Sequence, residues 1–379
     1  MVWPFSKDTE TKTAGASLIA LSQLASPRWG SKAPEALMRD GFQSNPIAYR
    51  CIRLVAEAAA SVPLRSGDPE LASLLSRPQP ELDGTSLLEA LHIHLQITGN
   101  AYLEAVSLAD DEPPGALFVL RPDRMTPVTG YNGWIEGWTY EVGRTKRQIQ
   151  RSDDGWLPLL HLKLFNPADD IMGYSPLAAA RRALDLHSGG ADWQKALIDN
   201  SARPSGALVY GRDGSRMTDE QFERLKTELD SQHTGHSNAG RPLLLEGGLD
   251  WKPMSLSPAD MDFQDARNTA AREIALAFGV PPMLLGIPGD NTYSNYREAN
   301  NAFWKTTVLP LAQRVAKALS NWLVPRFDLA APLTCDIEQV PALANERAEF
   351  WTLIDQTSFL SEEEKRALAG FAPIDGGAR

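Results

Sequence analysis

The sequence predicts an α+β fold made of several segments in series, and three observations carry that prediction. A capped amphipathic helix at Asn45 precedes short β-prone runs punctuated by Pro, Gly and Asp, the pattern of an antiparallel sheet packed with helices. Two long helical stretches, starting at Ser175 and Pro258, bracket a segment with strand, turn and helix signals of its own. The longest apolar stripe, Tyr296 to Leu323, comes last and holds Pro310 in its middle. A chain of 379 residues has room for roughly two or three domains.

Residues 1–41 are rich in Ser, Ala, Thr and Lys with little periodicity and read as a loosely ordered arm. Residues 42–170 form the first unit. Its opening helix starts at Asn45 with Pro46 in the first turn, sets Ile47, Cys51, Leu54, Val55, Ala58 and Val62 on one side, and stops at Pro63. A capping box of Ser86 and Glu89 starts the next helix, which ends at Gly99 and Asn100. Strands are expected at Ala101–Val106, Ala116–Leu120, Trp134–Val142 and Leu159–Leu164.

Within residues 171–202 a helix runs from Ser175 and Pro176 to Asn200, and the pair Gly189–Gly190 inside it provides a bend or a close helix contact. Residues 203–256 are a small α/β insertion: a strand at Ala207–Tyr210, a helix over Asp219–Ser231, and a hairpin of Leu243–Leu245 with Leu249–Trp251. Residues 257–285 return as a helix capped by Ser257, with Pro258 first and Asp260 near the positive end of its dipole; it stops at Gly279. A polar, glycine-bearing loop fills 286–295, and the long helix of 296–329 is kinked by Pro310. The remainder, 330–379, holds two charged helices, Asn345–Ile354 and Ser361–Leu368, with Glu362, Glu363 and Glu364 in a first turn.

The formal net charge of −11 argues against tight nucleic-acid binding, which depends on clustered Lys and Arg. A conduit for a polyanion has the opposite requirement, because each phosphate contact adds a barrier to sliding. No apolar run reaches membrane-spanning length and no signal peptide is recognisable, so neither a membrane nor a secretory route is expected. Two cysteines, Cys51 and Cys335, give no disulfide framework and no thiolate metal cluster.

Candidate catalytic groups do not form a constellation. Ser175 precedes a proline-started helix and reads as its cap, without the second glycine of a nucleophile elbow. His92 and His94 fall on different helix faces and are expected as one partly buried and one exposed histidine. His233 and His236 have no carboxylate or thiol at ligand spacing, and Asp260, Asp262 and Asp265 lack the glycine and terminal glutamate of a calcium loop. No phosphate-binding glycine motif occurs, so no nucleotide, metal or other cofactor is expected. Two alternatives stay open: an α/β enzyme using His161 or Asp170 as base, and a structural protein that never encloses a channel.

Four ordered motifs narrow the reading: Met172-Gly-Tyr-Ser-Pro-Leu-Ala-Ala-Ala-Arg181, Asn238-Ala-Gly-Arg-Pro-Leu-Leu-Leu-Glu-Gly-Gly-Leu249, Phe278-Gly-Val-Pro-Pro-Met-Leu-Leu-Gly286 and Thr292-Tyr-Ser-Asn-Tyr296. In sequence and order they resemble the portal proteins of tailed double-stranded DNA phages and phage-derived gene transfer agents. The resemblance implies a wing (42–170), two stem helices (171–202 and 257–285), a clip (203–256), a tunnel loop (286–295), the long helix behind it, and a small C-terminal crown. It implies a ring of twelve copies at a capsid vertex, assembled in the bacterial cytoplasm. DNA would be packaged and ejected through that ring without sequence specificity. The terminase large subunit, the head-tail adaptor and the major capsid protein would be its partners, and ATP hydrolysis would belong to the motor. On this resemblance Gly289, Asp290, Asn291, Thr292, Tyr293, Ser294 and Asn295 would touch DNA, and Glu223, Arg224 and Lys226 on the clip would dock motor and adaptor.

Overall fold

The computed structural model describes residues 36–107, 109, 112–130, 134–199, 206–210, 218, 220, 223–224, 227, 249–253, 263–288 and 293–369. After a π-helical turn, Leu37–Gln43, helix α1 (Pro46–Ala60) begins where Asn45 turns extended and its side chain accepts from the amides of Ile47 and Ala48. Strand β1 (Leu64–Arg65) and helix α2 (Pro69–Ser76) follow, the latter capped by Asp68 and absent from the expectations above. Helix α3 (Gly84–Thr98) starts earlier than expected. Asp83, not Ser86, is the cap, taking the Ser86 amide at 2.8 Å, and Glu89 instead pairs with Arg53 at 3.1 Å.

Two three-stranded antiparallel sheets follow. One orders as β3 (Ala116–Leu120), β2 (Asn100–Val106) and β7 (Leu159–Lys163); the other as β4 (Met125–Thr129), β5 (Ile135–Val142) and β6 (Thr145–Gln150). Strands β4 and β6 were not foreseen. Apart from buried Ile149, β6 is exposed along its length, so its sequence lacks the apolar alternation that marks a strand. Three apolar cores result. The first packs α1 with Leu177, Leu184, Ile274 and Phe278; the second packs α2, α3 and the β2 sheet; the third joins the two sheets through Tyr102, Trp138 and Ile149.

The helical stretch from Ser175 is broken once, into α4 (Pro176–Ala179) and α5 (Arg181–Asp199). Strands β8 (Gly206–Tyr210) and β9 (Leu249–Pro253) pair antiparallel with Leu208 opposite Trp251. The expected hairpin within 243–251 is therefore corrected: Leu249 onward pairs with the strand entering the insertion, which ties its two ends together, while Leu243–Leu245 lie outside the described residues. Helix α6 (Phe263–Ala277) returns; its expected cap, Ser257 to Asp260, also lies outside them.

Helix α7 (Tyr293–Phe303) runs into a π-helical turn, Trp304–Val308, and then α8 (Leu309–Leu323). The distortion expected at Pro310 thus takes the form of a widened turn just before it. Proline cannot donate to the Thr306 carbonyl and its ring would collide with it, so the backbone opens there. Helix α8 spans two cores, with Ala312 in the first and Val315, Leu319, Trp322 and Leu323 in the second. Trp322 and Trp156 stack at 5.7 Å, and each indole N–H donates to the other's segment, to Leu157 O at 2.9 Å and Trp322 O at 3.3 Å. Strand β10 (Thr334–Cys335) pairs with β1, and helices α9 (Ala344–Gln356) and α10 (Glu362–Leu368) close the chain, α10 with a full capping box between Ser361 and Glu364. Among the described residues no helix is long and apolar enough to cross a membrane.

Candidate functional site

The helices α5 and α6 and the segment that leaves α6 form the part of the molecule to which the sequence points. Their base is fixed by α1. The side chain of Asn45 caps α1 through Oδ1 while its amide lies 3.1 Å from His187 Nδ1 and 3.2 Å from Ser188 Oγ on α5. An amide N–H donates, so Nδ1 must be the unprotonated nitrogen. Burial, with Arg267 nearby, holds His187 below its usual pKa and keeps the ring neutral.

Above this base the two helices meet at Gly190. A Cβ there would stand 3.1 Å from Arg267 Cγ, so of the two expected roles for the glycine pair the structure shows close contact, not a bend. Arg267 then donates through Nη1 to Gln194 at 2.8 Å. A cleft of about 350 Å³ opens beside this contact, lined by His187, Gln194, Arg267, Asn268 and the backbone from Gly286 to Pro288.

The third motif, residues 278–286, leads into Ile287 and Pro288. Gly279 has φ of +65° and its carbonyl accepts from Thr307 Oγ1 at 2.7 Å, which ties the end of α6 to the π-turn. A 3-10 turn, Pro282–Leu285, ends at Gly286 with φ of +70°. Ile287 is buried, and the Pro288 carbonyl accepts from Arg272 on α6. No local signal marks Arg267, Gln194 or Arg272; a helical arginine reads as solvated until its partner is placed.

Of the expected loop residues, Gly289, Asp290, Asn291 and Thr292 lie outside the described residues. Tyr293, Ser294 and Asn295 are corrected from loop to the first turn of α7, with Asn295 exposed. Glu223 and Arg224 are exposed on helical backbone, and Thr227 donates to Glu223 O at 2.8 Å. Lys226 lies outside the described residues.

The first motif is a backbone junction. A Cβ on Gly173 would stand 2.1 Å from Gly99 O, and one on Gly99, at φ of +77°, 2.6 Å from the Tyr174 carbonyl carbon, so two glycines let the chain cross the end of α3. Asn100 Oδ1 takes the Gly173 amide at 2.8 Å and lies 2.9 Å from His161 Nε2. Ser175 caps α4 at 2.8 Å from the Ala178 amide. His161 stacks on Tyr102 at 4.6 Å, and Asp170 offers its backbone carbonyl to Lys163. His233, His236, Asp260 and Asp262 lie outside the described residues, and Asp265 is exposed. His92 departs from expectation: it is fully buried, and desolvation drives its pKa to about 4. His94 is half-buried rather than exposed, and is also driven to about 4 by desolvation.

An α+β body that carries a helix pair with an inserted strand pair at one end and a glycine-flanked connection at the other is a portal-type architecture. The family model described as phage portal protein matches residues 46–370, and the chain belongs to that family. A subunit in the neck of a native gene transfer agent particle, solved with twelve-fold symmetry, is 49% identical over 93% of this chain and 98% of its own, with a TM-score of 0.71. An uncharacterized protein of Rickettsia felis is 38% identical over 99% of this chain and 98% of its own. The probable portal protein of Streptomyces phage phiC31 is 26% identical over 89% of this chain and 77% of its own. The protein is a portal protein.

Proposed function

We propose that the chain closes into a ring of twelve copies at one vertex of a phage-like capsid, in a virion or a gene transfer particle, and conducts double-stranded DNA in both directions. The observation that carries this reading is the near full-length similarity to the neck subunit solved with twelve-fold symmetry. A chain of formal charge −11 suits a conduit that must not grip its cargo. On this reading residues 42–170 are the wing, 171–202 and 257–285 the stem, 203–256 the clip and 330–379 a reduced crown. The ring is a passive structural part; the terminase large subunit supplies ATP hydrolysis, docks at the clip near Glu223, Arg224 and Lys226, and later gives way to the head-tail adaptor. The major capsid protein surrounds the ring.

The segment Gly289–Asn295 faces the bore. Its side chains include one acid and no base, so it brushes the duplex through transient hydrogen bonds without neutralising phosphates. Lysines at Asn291 and Ser294 are expected to leave the ring intact and to slow packaging, more at low salt, because added cations attract the backbone. Single-particle mass measurement of the ring and packaging rates at two salt concentrations test both parts. Monomers under assembly conditions with the other head proteins present would defeat the ring, and unchanged rates would remove the loop from the bore. Charge reversal at Glu223, Arg224 and Lys226 that leaves motor and adaptor binding unchanged would defeat the clip assignment.

A further inference from the structure

The C-terminal helices leave an unusual surface. Within 19 residues of sequence, Phe350, Leu353, Phe359 and Leu368 are all exposed, Phe359 at 84%, while Ile354 is the buried side chain of α9. Beside them α10 begins with Glu362, Glu363 and Glu364, and Glu363 has no cationic partner among the described residues. The pair is nonetheless anchored to its own subunit, by Leu343 in the first core and by Lys305 to Glu346 at 2.6 Å. Its aromatic and acidic side chains stay exposed.

The opposite surface lies along α8. A groove of about 380 Å³, largely apolar, runs between α8 and the β10 segment and is lined by Ala316, Lys317, Pro332, Leu333, Cys335 and Ile337. Lys317 borders it and Arg314 stands one turn earlier on the same helix face; both are exposed and neither has an acidic partner among the described residues. One chain thus carries an apolar groove with a basic rim and an aromatic knob with an acidic flank, and does not join them.

We infer that this groove receives the Phe359 turn and the Glu362–Glu363 edge of a second copy of the chain. Two matching surfaces made of different residues can pair head to tail between copies, and such contacts build closed rings when the rotation returns on itself. Phe359 fills the apolar floor, and the carboxylates meet Arg314 and Lys317 at the rim, where charge complementarity fixes register. The inference rests on the ring reading above and names the contact that holds the ring.

Two experiments test it. Lys317→Glu, on an exposed site that leaves the fold intact by circular dichroism, is expected to raise the concentration at which rings dissociate by about tenfold, and Glu363→Arg in the same chain to bring it back. A ring equally stable in Lys317→Glu, or a swap that does not rescue, overturns the proposal. Phe359→Cys is expected to form a disulfide with Cys335 of the next copy on mild oxidation, giving a ladder of covalent multimers that Cys335→Ser abolishes. Monomers cross-linked within themselves, or no Cys335-dependent product, also overturn it. A wild-type protein that forms no rings defeats the ring reading alone, because the cross-link reports the groove in any oligomer.

Discussion

The body around α3 and the outer half of the α5–α6 pair are held together in different ways. In α3, Leu87, Leu91, His92, Leu95 and Ile97 are all buried, and the helix is clamped by α1 on one side and the β2 sheet on the other. In α5 burial stops at Gly190: from Ala191 to Ala196 no side chain is buried, and the contacts with α6 there include a glycine against an arginine stem and an Arg267–Gln194 hydrogen bond. α6 shows the same gradient, with Ala270, Ala271, Ile274 and Ala275 buried but nothing from Gln264 to Thr269. A helix pair that buries little apolar surface of its own gains little stability from packing, so its outer half adds little to the stability of the single chain.

Core truncation should show the contrast most strongly. Leu91→Ala is expected to destabilise the monomer by about 3–4 kcal/mol, the cost of a cavity in a well-packed site, whereas Gln264→Ala, at an exposed position in the outer half of α6, should stay within about 0.5 kcal/mol. Urea unfolding of both variants decides this; equal losses would erase the distinction between the regions.

Glycine substitutions should split by sign. Gly99→Ala forces a side chain into a left-handed backbone already against Tyr174 and should cost about 2–3 kcal/mol. Gly189→Ala meets nothing within 4 Å and sits inside α5, so it should stabilise by up to about 1 kcal/mol through helix propensity. Thermal melting of the two variants reads both effects, and a destabilised Gly189→Ala would mean that α5 bends in solution.

Acid should act on the body. His92 is buried with no hydrogen-bond partner for Nδ1 among the described residues, and its pKa falls from 6.5 to about 4 on folding. Below pH 6.5 the unfolded chain binds a proton that the folded one refuses. The share of stability that depends on His92 is therefore whole above pH 6.5 and falls by about 1.4 kcal/mol per pH unit down to about pH 4. His94 and His161, lowered by the same desolvation, act in the same direction. His92→Leu should flatten this slope, measured as unfolding free energy between pH 7 and 5. An unchanged slope would place the acid-sensitive groups elsewhere.

The sequence by itself determined the elements whose signal is local. The starts of α1 and α4, the acidic first turn of α10, the stop at Gly99, the strand at 207–210, and the motifs that identify the family could all be read from neighbouring residues, because capping, turn chemistry and helical periodicity act over a few positions. It misplaced the start of α3 because Ser86–Glu89 and Asp83 are both valid local signals, and only the packed helix shows which one the backbone uses. Strand β6 escaped because a strand exposed on most positions has no apolar alternation, and β4 because its short run Met-Thr-Pro-Val-Thr holds a proline; both take their identity from pairing with β5. The same holds for the site. Gly190 against Arg267, Arg272 on the Pro288 carbonyl, Thr307 on Gly279 and the groove along α8 join residues that are far apart in the chain, and a contact between remote residues has no signature in either one's local sequence. Tertiary structure decided these, because burial and hydrogen-bond pairing are properties of the packed chain.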